Sequence, residues 1–345
     1  MRSAIVIAPG RGTYNRPEHG YLARHHADKA GIIAGFDAQR RAAGLPTLTE
    51  LDSGTGFSAN LHTRGDHASA LIHACAYLDF LDIDQRQTEI LAVTGNSMGW
   101  YIALTCAGAL PAPEGFRLAD TMGRLMQRHL IGGQLITPFV DEDWQAIPGE
   151  KARLLDLIAA VDGRGGARLC VSIDLGGMLV VAGNEDGLAR FEAEAPPRQG
   201  KFPMRLPNHA AFHSPLQAPV AQEGQQALAD LPYQQPALPL IDGRGALWQP
   251  PHCDLDALRR YTLGTQVLEP YSLTNALRTG AREVMPDCFI LLGPGTTLGG
   301  AIGQSLCGLT WRGMGDKASF KARQGKAPVL YAMGVEADRR QVAAS

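Results

Sequence analysis

Six short apolar runs, at 3–8, 89–94, 169–172, 178–182, 288–292 and 328–333, most constrain what this 345-residue chain can fold into. They read as strands, and longer stretches of helical spacing lie between most of them, such as 67–81 and 98–110. Strands alternating with helices predict an α/β fold with a mainly parallel sheet. The stretch 131–205 has its own order, strand–helix–strand–strand–helix, with the two middle strands joined by Gly176-Gly177. It reads as a small inserted subdomain of split β-α-β type, with residues 195–203 as the return linker. The expected division is a core of 1–130 and 206–345 around an insertion at 131–205.

Composition excludes several function classes. With 45% hydrophobic and 19% charged residues, the chain suits a soluble globular protein with a sizeable core. A formal net charge of −2 makes no electrostatic case for nucleic acid or an anionic membrane. No apolar run approaches the roughly 20 residues that span a bilayer. The opening "MRSAIVIAPGRG" reads as a first buried strand rather than a signal peptide. The six cysteines are widely spaced without a C-x-x-C pair, which predicts buried free thiols and a cytoplasmic setting. No metal site, no tightly bound cofactor and a monomeric state are expected.

Chemistry enters at "ILAVTGNSMGW", residues 90–100. A strand runs into Gly95-Asn96-Ser97-Met98-Gly99, and a helical stretch follows. Glycines on both sides of a serine allow a turn tight enough to expose its hydroxyl, and the helix N-terminus favours developing negative charge. A serine nucleophile needs a base. Of the ten histidines, His213 stands apart in the turn-rich "PNHAAFHSPL" (207–216), just after the insertion. The insertion therefore lies between Ser97 and His213, as a cleft between two units requires.

These residues carry a resemblance. The chain resembles the malonyl-CoA:acyl carrier protein transacylases and the acyltransferase domains of polyketide and fatty acid synthases. Their P-G-Q-G loop is matched by Pro9-Gly10-Arg11-Gly12, and their G-H-S-x-G motif by Gly95-Asn96-Ser97-Met98-Gly99. Their A-F-H-S-P motif is matched by Ala211-Phe212-His213-Ser214-Pro215, and a late G-P-G turn by Gly293-Pro294-Gly295. The resemblance implies an α/β-hydrolase-like core carrying a ferredoxin-like subdomain, with the active site between them. It implies Ser97 as nucleophile, His213 as base, and the main-chain N–H groups of Met98 and Arg11 as an oxyanion hole. The histidine would be oriented by a backbone carbonyl, which alignment of "YTLGTQV" puts at Thr265. The partners implied are a coenzyme A thioester, as substrate, and an acyl carrier protein.

Five positions depart from the family, the first being Arg11 in place of the loop's glutamine, a change that leaves the main-chain donor. Malonyl-specific members carry R-G-x-x-M-Q, whose arginine holds the malonyl carboxylate; here the stretch is Met122-Gly123-Arg124-Leu125-Met126-Gln127. Arg124, two residues along a helix, faces roughly 200° away from Met122. Loss of a bidentate partner would cost a malonyl group roughly 2–5 kcal/mol, so an uncharged acyl group is expected. Asn96, Trp100 and Ala210 also replace family residues and are expected, with Met122 and Phe212, at the acyl pocket. The function predicted is transfer of an uncharged acyl group from coenzyme A to a carrier protein thiol. The alternatives are an acyl-thioester hydrolase of the same fold and a malonyltransferase with a displaced arginine. Lys317, Lys321, Arg323 and Lys326 form a basic cluster that is either a solvated face or a docking patch for an acidic carrier protein.

Overall fold

The computed structural model describes residues 1–54 and 56–344. Its strands are β1 (Arg2–Ala8), β2 (Thr88–Gly95), β3 (Gly133–Pro138), β4 (Leu169–Leu175), β5 (Met178–Gly183) and β6 (Met204–Arg205). The remainder are β7 (Leu240–Ile241), β8 (Leu247–Trp248), β9 (Tyr271–Ser272), β10 (Cys288–Leu291) and β11 (Leu330–Ala332). The larger sheet has the order β11-β10-β1-β2-β7-β8 and is parallel except for the β7–β8 pair.

The β1 run is continuously apolar because both of its faces are covered. Ala4, Val6 and Ala8 enter one core cluster, while Ile5 and Ile7 enter the other. On the first face lies the helix Gly65–Asp82, buried almost all round, and against it packs the helix Ala112–His129. Register pairs Ala8 with Gly95, so β1 and β2 end side by side and the loops that follow them meet.

The inserted segment builds a second sheet, in the order β6-β3-β5-β4-β9. Its own four strands are antiparallel neighbours, and the fourth-first-third-second order is that of a ferredoxin-like unit. Helices Glu150–Val161 and Glu185–Glu194 complete it around a separate core that includes Leu135, Leu154, Val181, Leu188 and Phe191. Asn184 caps the second helix by accepting from the Gly187 N–H at 3.0 Å. Two features go beyond the sequence expectation. The return segment contributes the short β6, and β9, from the larger unit, adds to the inserted sheet by pairing Tyr271 with Ile173. Among the described residues no helix is long and apolar enough to cross a membrane.

Candidate active site

The turn after β2 is as tight as its glycines suggest. A Cβ on Gly95 would lie 2.2 Å from the Gly99 carbonyl carbon, and one on Gly99 would lie 2.4 Å from the Ala8 oxygen. Ser97 between them has φ 56°, a left-handed conformation that a serine adopts only when its surroundings enforce it. The enforcement is main-chain: the Asn96 N–H donates to Ala8 O at 3.0 Å and the Gly99 N–H to Asn96 O at 2.8 Å. The helix Gly99–Cys106 follows. Among the described residues, neither the Met98 nor the Arg11 main-chain N–H donates to a protein acceptor.

His213 meets the serine from the segment that returns after the insertion, also with a positive φ, 54°. Its Nε2 is 2.7 Å from Ser97 Oγ, and its Nδ1 is 2.6 Å from the Gln266 carbonyl oxygen. A carbonyl only accepts, so Nδ1 carries the proton, and a neutral ring then leaves Nε2 to accept from the serine hydroxyl. Burial pushes the imidazole down to about 4, against the smaller opposing effect of the Gln266 bond. The ring is therefore neutral at pH 7, with Nε2 as its acceptor.

Gln266 holds the pair from two sides. Beyond its carbonyl, its amide Nε2 donates to Ser97 O at 3.0 Å, and its Oε1 accepts from the Tyr101 hydroxyl at 3.0 Å. Tyr271 lies alongside, its ring centroid 5.4 Å from that of His213 and its hydroxyl donating to Gly95 O at 2.6 Å. The orienting carbonyl thus belongs to Gln266 and not to Thr265. The reason is local: Tyr261–Thr265 is a π-helical turn, which carries an extra residue and advances the register.

Ser97, Met98 and His213 open on a pocket whose walls include Tyr101, Met122 and Phe212, with a cavity volume of about 20 Å³. That is room for about one water-sized group. Met122 and Phe212 are where the sequence predicts them. The other three expected pocket residues do not line it. Trp100 is fully buried in the core, its indole N–H donating to Thr262 Oγ1 at 2.9 Å, because its neighbour Tyr101 takes the pocket-facing side of the helix. Asn96 packs against Gly10 below the serine, and Ala210 is buried, with its carbonyl accepting from the Phe212 N–H. Arg124 stays out of the pocket as its helical position predicts, paired with Asp120 at 3.1 Å.

Arg11 is the residue whose side chain the sequence did not place. It lines the same pocket as Ser97. Its Nη2 donates to Thr63 O at 2.9 Å and Asn208 O at 3.1 Å, and its guanidinium lies over the Phe212 ring, 5.4 Å from the centroid. Nε and Nη1 are buried without a partner among the described residues. Desolvation lowers the group to about 10, opposed by the charge of Asp66.

His26, Asp79 and Asp82 are the one group of side chains with metal-like spacing among the described residues. They are outside the serine pocket, and Arg339 and Lys29 already pair with the two carboxylates.

A strand–turn–helix serine facing a buried histidine, between a parallel sheet and an inserted ferredoxin-like unit, defines an α/β acyltransferase fold. Known proteins match most of the chain. The chain is 24% identical over 328 residues to the malonyl CoA-acyl carrier protein transacylase of Salmonella typhimurium, covering 93% of this chain and 99% of that protein. It is 27% identical over 249 residues to the polyketide synthase GfsB of Streptomyces halstedii, covering 72% of this chain but 4% of that much longer protein. The crystal structure of the malonyl-CoA:acyl carrier protein transacylase FabD of Xanthomonas oryzae superposes with a TM-score of 0.78 at 19% identity, covering 100% and 99% of the two chains. That of the transacylase MCAT of Mycobacterium tuberculosis gives 0.74 at 21% identity, covering 99% and 100%. No family model matches. The resemblance carried by the motifs therefore extends to the whole chain and to its fold.

Proposed function

We propose that the protein is an acyltransferase that moves a short acyl group from a coenzyme A thioester to the phosphopantetheine thiol of an acyl carrier protein. The observation that carries this reading is the Ser97–His213–Gln266 chain of hydrogen bonds, with His213 held neutral by burial. Ser97 Oγ attacks the thioester carbonyl while His213 Nε2 takes its proton. The tetrahedral oxyanion is met by the free N–H groups of Met98 and Arg11. Collapse breaks the C–S bond, the proton passes from His213 to the leaving thiolate, and the acyl group remains as a serine ester. The carrier thiol then repeats the sequence in reverse, and Ser97 regains its proton.

The narrow cavity favours a short chain, and Met122 gives its wall an apolar, uncharged surface. Taken alone, Met122 supports the uncharged acyl group predicted above.

The test is intact mass after brief incubation with acetyl-, malonyl- and a medium-chain acyl-CoA, beside Ser97→Ala. A one-acyl adduct on the native chain, absent from the variant and discharged by a carrier thiol faster than by water, is expected. Discharge by water alone would make the protein a thioester hydrolase, and an adduct that survives in Ser97→Ala would remove the nucleophile.

A further inference from the structure

We infer that Gln134 and Ser172, both from the inserted unit, are positioning residues that set the backbone of His213 through the carbonyl of Phe212. The inference rests on the Ser97–His213 pair of the reading above and gives the inserted unit a part in its chemistry. Neither residue lines the serine pocket, so each acts only through the histidine.

One chain of hydrogen bonds joins the segment before His213 to the inserted sheet and back. His209 Nδ1 lies 2.9 Å from Gln134 Oε1, Gln134 Nε2 donates to Ser172 Oγ at 2.6 Å, and Ser172 Oγ donates to Phe212 O at 2.8 Å. The direction of every bond is fixed. Phe212 O only accepts, so the one hydroxyl proton of Ser172 goes to it. The Gln134 atom facing Ser172 is then its amide nitrogen, and the Gln134 oxygen turns to His209. Burial and the charge of Arg11 push His209 down to about 3, so its ring is neutral and its proton sits on Nδ1. Gln134 and Ser172 are both buried, which leaves bulk water no place in the chain.

The chain ends on the peptide unit whose nitrogen belongs to His213. A hydrogen bond to Phe212 O holds the plane of that unit. Rotation about the next bond, N–Cα of His213, is its φ, 54°. A non-glycine residue keeps such an angle only when its surroundings enforce it. Part of the enforcement comes from the inserted unit: Ser172 holds Phe212 O, and Ile131 O, just before β3, accepts the Ala211 N–H at 2.8 Å. Gln266 O then fixes the ring.

Strand β4 is deformed at the same place. It pairs with β5 through Val171–Val181 and resumes at Ile173–Val180, so Ser172 is the extra residue of a β-bulge. Leu169 and Val171 pack on the insertion's own core, whereas Ile173, which a regular pleat would turn the same way, enters the core of the larger unit. Ser172 and Ile173 thus both serve the larger unit, the first on the histidine segment. Bulges concentrate beside active sites, where they aim a side chain.

Diisopropyl fluorophosphate tests this without regard to the natural acyl donor. Ser97 Oγ bonds to phosphorus, fluoride leaves, and His213 takes the hydroxyl proton. Labelling rates, read by intact mass against a Ser97→Ala blank, are compared in native protein, Ser172→Ala, Gln134→Met and the double variant. Ser172→Ala should label at least fivefold more slowly and Gln134→Met at least threefold. The double variant should be no slower than Ser172→Ala, because one chain is cut either way. In a His213→Ala background, Ser172→Ala should change the residual rate less than twofold, since nothing is left to position. A change below twofold with His213 present, or equal slowing with and without it, overturns the inference; a purely structural contact gives the second result. Should Ser172→Ala fail to fold, Gln134→Met, of similar volume, decides alone: threefold slowing supports the inference and an unchanged rate overturns it. Labelling by the fluorophosphate with no adduct from acetyl-, malonyl- or a medium-chain acyl-CoA would sink the acyltransfer reading and leave the positioning pair standing.

Discussion

At Ser97 and His213, the two side chains on which the proposed reaction rests both occupy left-handed backbone, a conformation that costs on the order of 1–3 kcal/mol each. The surroundings hold them there, and the glycines at 95 and 99 are part of that hold. Gly95→Ala or Gly99→Ala would drive a Cβ into backbone at 2.2 or 2.4 Å, where no flexible group can yield. Each should lower unfolding free energy by more than ~2 kcal/mol in urea titrations, or leave no folded protein. The base has a pH signature. An exposed imidazole loses activity as pH falls through about 6.5, whereas His213, pushed down to about 4, stays neutral well below that. Ser97 acylation should therefore be flat from pH 8 to about 5 and fall only as pH drops through the lowered value. Rapid-quench mass spectrometry across that range would show it, and a midpoint near 6.5 would mean that the ring is solvated during turnover.

Elements decide what a sequence shows of such a site. The serine turn and the A-F-H-S-P segment are legible because their constraints are local: close backbone contact at Gly95 and Gly99, and a histidine placed by its neighbours. The strands at 3–8, 89–94 and 288–292 are legible because burial on both faces demands unbroken apolar runs. What failed did so through geometry between elements. The orienting carbonyl is displaced by one position because the π-turn Tyr261–Thr265 adds a residue that no composition announces. Trp100 and Tyr101 are adjacent letters separated by about 100° of helix, and only packing decides which one meets the pocket. The Arg11 guanidinium was invisible for the same reason: its surroundings come from residues 63–66 and 208–212. Gln266→Ala tests the clasp these elements make. It keeps the carbonyl on His213 but removes the bonds to Ser97 O and from Tyr101, so acylation should fall less than in His213→Ala. The expected stability loss is about 1–3 kcal/mol, since the buried Tyr101 hydroxyl is left without its acceptor while Ser97 O keeps the Trp100 N–H.

Across the whole molecule, a buried charge network ties the C-terminus to the core. Arg339, on the helix Glu336–Val342, pairs with Asp79 and with Asp82 on the helix Gly65–Asp82, and donates to the Tyr21 hydroxyl at 2.6 Å. Asp79→Ala leaves that guanidinium without its main partner and should cost about 3–5 kcal/mol, read as a shift of the urea midpoint. The buried histidines set the acid limb of stability. Burial lowers His73 to about 3, His209 to about 3 and His213 to about 4, so each binds a proton in the unfolded chain before it does in the folded one. Stability should then decline as pH falls from about 6.5 toward 4, by up to ~1.4 kcal/mol per pH unit for each ring. His26 works in the opposite sense. Asp79 and Asp82 raise it against the cost of burial, so its share is present below about 6.5 and lost as pH rises through its folded value.

Strand β9 lends two residues of the larger unit to the inserted sheet, and its Tyr271 also grips the last residue of β2. A clamshell hinging about the serine would have to tear the β4–β9 pairing or, if β9 moved with the inserted sheet, the Tyr271–Gly95 bond. The molecule is better described as a lock with a fixed keyway than as a pair of jaws. In the proposed reaction, donor and acceptor would each have to reach Ser97 without the two units parting.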